Sequence, residues 1–158
     1  MIIRVGSKRL VENSIKNLID ANELVAERVR FSVEAYGVDK LTAVKECRTV
    51  QVNPGRQMGK TSFIAKYATY YKAIVIVFDE NHANILRDMV SPNNPPTIIT
   101  IDELKDTNFD AVIDISTFNS VFVDDIERAD VGDMRLIYEK FTKDNVYRTF
   151  VLFGSRLF

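Results

Sequence analysis

One cysteine and one histidine are all that the 158 residues supply of either type. Cys47 has no second cysteine for an internal disulfide. Cys47 and His82 are the sole residues of their types, and the expectation is that the chain carries no zinc site. A Ser-His-Asp or Cys-His catalytic arrangement would have to be built on His82 alone, which otherwise reads as a polar residue near a helix start. Neither sign of charge prevails: 21 basic side chains stand against 22 acidic ones and the sequence pI is about 5.9. Nothing in that balance marks a nucleic-acid binder or a membrane-surface protein, and no basic stripe with interleaved aromatics appears. Long apolar runs are also missing. "AIVIVF" stops after six residues at Asp79, far short of the roughly 18 needed to span a bilayer. The opening MIIRVGSKRLVENS lacks the apolar segment of a secretory signal. The expectation is a cytoplasmic chain with no membrane partner.

What is present is core-forming material. Hydrophobic residues make up 46% of the chain, including ten Phe and six Tyr, enough for one globular domain with a sizeable core. Residues 8–36 are charged and apolar in helical rhythm, through Val11, Ile15, Leu18, Ile19, Val25, Val29 and Val33, with a break expected near Asp20, Ala21 and Asn22 and a stop at Gly37. A connecting segment then runs through Lys45. After it come short apolar runs: TVQV (49–52), AIVIVF (73–78), TIITI (97–101), AVIDI or SVFVD (between 111 and 124) and TFVLF (149–153). Runs of this length, rich in Val, Ile and Phe, suit strands buried on both faces. Helix candidates lie between them at 60–71, 81–90 and 132–143, and SPNNPP (91–96) is a proline-bounded loop. The alternation predicts an α/β fold, a mostly parallel sheet with helices on both faces, preceded by an N-terminal helical segment. Residues 1–46 are read as that segment and 47–158 as the core of the same domain.

The stretch NPGRQMGKTSF follows the first predicted strand and opens a helix, the order a phosphate-binding loop needs. Backbone N–H groups must face into the loop while the helix N-terminus adds its positive end. Pro54, Gly55, Arg56, Gln57, Met58, Gly59, Lys60, Thr61 and Ser62 are the candidate nucleotide-binding residues. Gly59 would admit close backbone approach, Lys60 would reach the β- and γ-phosphates, and the Thr61 hydroxyl would help hold Mg²⁺. The usual first glycine is displaced: Pro54 stands there and Gly55 comes one place late. The other reading of Gly59 and Lys60 is an ordinary helix start. SVFVDD would supply the second half of a Mg-nucleotide site, with Asp124 for the Mg²⁺ shell and Asp125 to orient and deprotonate a water, or it is an ordinary strand-end turn. TFVLFGS ends in Gly154 and Ser155, a polar group that could stand beside the γ-phosphate or a common turn.

GRQMGKT resembles the deviant phosphate-binding loop (Walker A) of phage large terminases, the DNA-packaging motors, which reads Arg-Gln-x-Gly-Lys-Thr without the usual first glycine. By that resemblance the chain would be a P-loop ATPase of the additional-strand class with a RecA- or terminase-like core. VFVDD would be its Walker B strand and VLFGS its coupling motif. Arg56 would act in cis on the γ-phosphate, beside catalytic Lys60 and Asp125. The resemblance further implies ATP and Mg²⁺, double-stranded DNA, a homo-oligomeric ring or phage protein partner, and work in a host cytoplasm. Two departures accompany it: Asp125 stands where terminases generally carry Glu, and 158 residues leave no room for their nuclease domain. A module that binds nucleotide to sense or assemble, with little hydrolysis, is the alternative. A small-molecule kinase would use the same cradle, but would need an arginine-rich lid where only Arg128 and Arg135 are available.

Overall fold

A computed structural model describes residues 2–53 and 59–155. Five apolar runs are strands: β1 (Thr49–Val52), β2 (Ala73–Val77), β3 (Thr97–Thr100), β4 (Ser120–Asp124) and β5 (Thr149–Phe153). All pair in parallel, in the order β1-β5-β4-β2-β3. The three inner strands are buried at every position, while the edge strands β1 and β3 begin on partly exposed residues. Because side chains alternate along a strand, Ile74, Ile76, Val121, Val123, Phe150 and Leu152 build one core. Val75, Val77, Phe122, Val151 and Phe153 build the other.

Helices cover both faces. On the second core lie α1 (Ile2–Glu23), α4 (Lys60–Tyr67) and α5 (Glu80–Met89), through Ile15 and Ile19, Phe63 and Ile64, and Ala83 and Leu86 respectively. On the first lie α3 (Lys40–Cys47), α6 (Ile101–Lys105), α7 (Phe109–Val112) and α8 (Val131–Lys140). α2 (Ala26–Tyr36) packs Val29 against Ala43 and Tyr147 in a smaller cluster. The crossovers that step toward β3 carry α4 and α5 on one face. Those that return carry α6, α7 and α8 on the other, as the uniform hand of parallel crossovers requires. Among the described residues no helix is long and apolar enough to cross a membrane.

Four local expectations need correction. The helical break falls at Leu24–Val25, two residues beyond Asn22, where Leu24 and Val25 turn back onto the Ala21 and Asn22 carbonyls. The segment before Lys45 is not a connection throughout: α3 begins at Lys40, capped by Asp39, whose Oδ2 accepts from the Thr42 N–H and hydroxyl. AVIDI is not a strand, because Asp114 accepts from the Ser116 N–H and hydroxyl and folds the chain into a turn; SVFVD takes the place in the sheet. Two of the expected core helices end early, α4 at Tyr67 and α8 at Lys140. Gly37 does end its helix, in the left-handed region at φ 68°, with its N–H on Val33 and that of Val38 on Ser32.

The amino ends of β1 and β5 are anchored by two fully buried arginines. Arg48 donates to the Asn22 carbonyl and side chain and, at 2.8 Å, to the Tyr147 carbonyl. It thereby fixes the end of α1 to the sheet. Arg148 forks onto both Asp144 oxygens at 2.6 Å and donates to the carbonyls of Phe118, Phe141 and Ile115. A buried cation this fully matched is costly to orphan. Asp144→Ala should lose about 3 kcal/mol of stability in denaturant titrations. The Arg148 hydrogen bond holds the Asp144 carboxyl below its ordinary 3.8. The pair's contribution is therefore whole above that value and disappears as pH falls through the lower folded one. Wild type should show this acid loss and Asp144→Ala should not.

Candidate functional site

Parallel strands bring their carboxyl ends to one edge of the sheet, where open α/β folds bind ligands. The loops after β1, β2, β4 and β5 meet there. Gly59, just before α4, has φ 85°, a conformation that favours glycine. A Cβ there would meet nothing nearer than the Ser62 Cβ at 3.9 Å, so among the described residues the demand is for backbone conformation and not for space. Lys60 and Thr61 open α4, partly buried, and Ser62 is exposed. Lys60 is near enough to His82 for its charge to act on the imidazole.

Asp124 closes β4 and is 2% exposed. Its Oδ2 lies 2.9 Å from Nε2 of His82, an ion-pair contact. His82 is carried there by the first turn of α5. Asp79 caps this turn, its Oδ1 accepting the His82 N–H at 2.6 Å, while its Oδ2 pairs with Arg128. The Asp124 carboxylate raises the His82 pKa above 6.5, burial opposing it and Asp125 adding to it.

Asp125 follows in the left-handed region, φ 64° and ψ 52°, which Asp tolerates better than most residues. Burial, and then the hydrogen bond and charge of Glu127, push its carboxyl up. Burial also works to raise Glu127, but its own N–H, the N–H and hydroxyl of Ser155, and Asp125 outweigh this and bring it to about 2. Glu127 Oε1 accepts from the Ser155 N–H at 2.7 Å and hydroxyl at 3.0 Å. The Gly154 N–H meanwhile bonds to the Val52 carbonyl at 2.9 Å. The turn after β5 is thus tied to β1 on one side and to the β4 loop on the other.

Of the residues singled out by sequence, Lys60, Asp124 and Asp125 all bear on His82, and Gly154 and Ser155 reach the Asp pair through Glu127. Pro54, Gly55, Arg56, Gln57 and Met58 lie outside the described residues, as does Arg156. His82, read as a helix-start polar residue, does start a helix, but its ring faces Asp124. Glu127 was not singled out at all; its place three residues after Asp124 in an acidic cluster was the available signal. Among the described residues no group of three or more His, Cys, Asp or Glu could hold a metal ion. One buried strand-end carboxylate, Asp124, does fit the sparse protein share of a Mg²⁺ ion held largely by phosphates and water. A separate groove of about 620 Å³, between α3 and α8 and lined by Lys45, Thr49, Met134 and Tyr138 among others, contains none of these residues. The chain matches no protein-family model, no curated protein and no solved structure.

Because His82 is the sole histidine, its ring gives an unambiguous NMR titration, expected above 6.5. Its charged pairing stabilises the fold fully below 6.5 and is lost as pH rises through the folded value. Asp124→Asn should remove the upward displacement. Gly154 has φ 144°, and a Cβ there would stand 2.5 Å from Glu127 Oε2 and 2.7 Å from Ile126 Cγ1. Glu127 could swing away only by releasing Ser155, and Ile126 is fully buried. Gly154→Ala should therefore cost about 2 kcal/mol in denaturant unfolding, and a cycle with Glu127→Ala should show coupling above about 0.5 kcal/mol.

Proposed function

We propose that the chain is a P-loop ATPase core that binds Mg-ATP at the carboxyl edge of its sheet. The observation that carries this reading is the sheet order. The strand that leads into Gly59 and Lys60 and the strand that ends at Asp124 are separated by one strand, β5, and all three deliver their ends to the same edge. An inserted strand between those two is what the additional-strand class is named for.

In this reading Lys60 sets its charge against the β- and γ-phosphates, and the first N–H groups of α4 face them with the positive end of the helix. Asp124 and the Thr61 hydroxyl would hold Mg²⁺, which, when bound, neutralises charge on the phosphate oxygens. Asp125, its carboxyl pushed up by burial and by Glu127, would accept a proton from a water placed against the γ-phosphate. Glu127 fixes Ser155 beside that position through two hydrogen bonds. Arg56 as a cis arginine, DNA as the driven partner and a ring assembly are carried by the resemblance to terminases alone.

A second reading, nucleotide sensing with little turnover, is favoured by one observation. Burial and the neighbouring Glu127 push the Asp125 carboxyl up, and a proton retained there would block it as a base. The kinase reading loses support because Arg128 is engaged by Asp79 and so is not a free lid residue. Phosphate release from ATP with Mg²⁺ tests the proposal: Lys60→Ala should lower turnover about a hundredfold. Stimulation by double-stranded DNA would favour a translocase. Lys60-dependent binding of a fluorescent ATP analogue without turnover would favour the sensor, and neither binding nor turnover would reject both.

A further inference from the structure

We infer that His82 is a positioning residue for Asp124, holding its buried oxygen so that the other carboxylate oxygen is presented to the divalent cation; this rests on the Mg-nucleotide reading above. The inference begins from a division of labour inside one side chain. Asp124 Oδ2 is buried and its contact is the His82 ring at 2.9 Å, so it is not the oxygen available to a ligand. The second oxygen is then the one left for a cation or its water. A carboxylate on a strand end can still rotate about its terminal torsion, which is broad and not three-fold. Contact with one oxygen sets the plane in which the other lies.

The histidine is itself held for this task. Helix capping at this point uses only its backbone N–H, accepted by Asp79 Oδ1, so the imidazole is not needed to start α5. The other Asp79 oxygen pairs with Arg128, four residues beyond Asp124, so one carboxylate ties the start of α5 to the β4 loop. The distance between His82 and Asp124 is thereby fixed from both sides. Partners of this kind, one step removed from a cation, typically alter its affinity about 10- to 100-fold when removed.

The test is the gain in affinity for a fluorescent ATP analogue on replacing EDTA with Mg²⁺. Wild type should gain. His82→Ala should bind equally well in EDTA but lose about tenfold of the Mg²⁺ gain, and His82→Gln, which keeps a donor at comparable reach, should recover most of it. Should His82→Ala not fold, His82→Asn takes its place, its amide being too short to reach Oδ2. An unchanged Mg²⁺ gain in the variant overturns the inference, as does an equal loss in EDTA and Mg²⁺, which would mark a structural role. Wild type failing to bind the analogue would overturn the inference together with the nucleotide reading. Wild type binding with a Mg²⁺ gain that the variant keeps would overturn the inference alone.

Discussion

A parallel strand can reach its neighbour only by a crossover, and this chain makes four of them. That demand clothes both faces of the sheet in helices and leaves the inner strands no exposed position. Polar work is displaced to the strand ends. At the amino end, Arg148 meets three carbonyls and a carboxylate, a buried charge with its donors matched. At the carboxyl end, Asp124 is buried against the ring of His82.

The carboxyl-end loops are not independent of one another. Asp79 and His82 tie the β2 loop to the β4 loop, Glu127 ties the β4 loop to Ser155, and Gly154 ties the β5 turn to Val52. Asp125 sits within this lattice in a left-handed conformation that a non-glycine residue adopts at some energetic cost, a kind of strain found preferentially at functional positions. Neighbouring bonds at Glu127 and the buried Ile126 keep it there.

Much of the fold was legible because burial on both faces writes continuous apolar text. AIVIVF and TFVLF could hardly be anything but inner strands. AVIDI carried the same composition, and the side chain of Asp114 decided against it, a local competition that apolar counting does not register. α3 was missed because eight residues hold only two turns of pattern and β-branched Thr42 and Val44 dilute it. At the candidate site, strand-end motifs nominated Lys60 and Asp124. They did not nominate His82 and Glu127, since the contacts of these two join segments far apart in the chain. The left-handed turn at Asp125 had no sequence mark either, since aspartate is common in every kind of turn.

The pairing of β1 with β5 carries a consequence for the order in which the molecule is made. Thr49 is in register with Phe150 and Val52 with Phe153, so the strand that leads into Gly59 and Lys60 has one neighbour in the sheet, and it is the last strand of the five. A nascent chain emerging amino end first could assemble β2, β3 and β4 side by side while β1 still had no strand to lie against. Closing a loop of about a hundred residues comes late, because its entropy is lost before its contacts are gained. The edge that gathers Lys60 and Asp124 is therefore completed only once β5, through Phe153, has been synthesised.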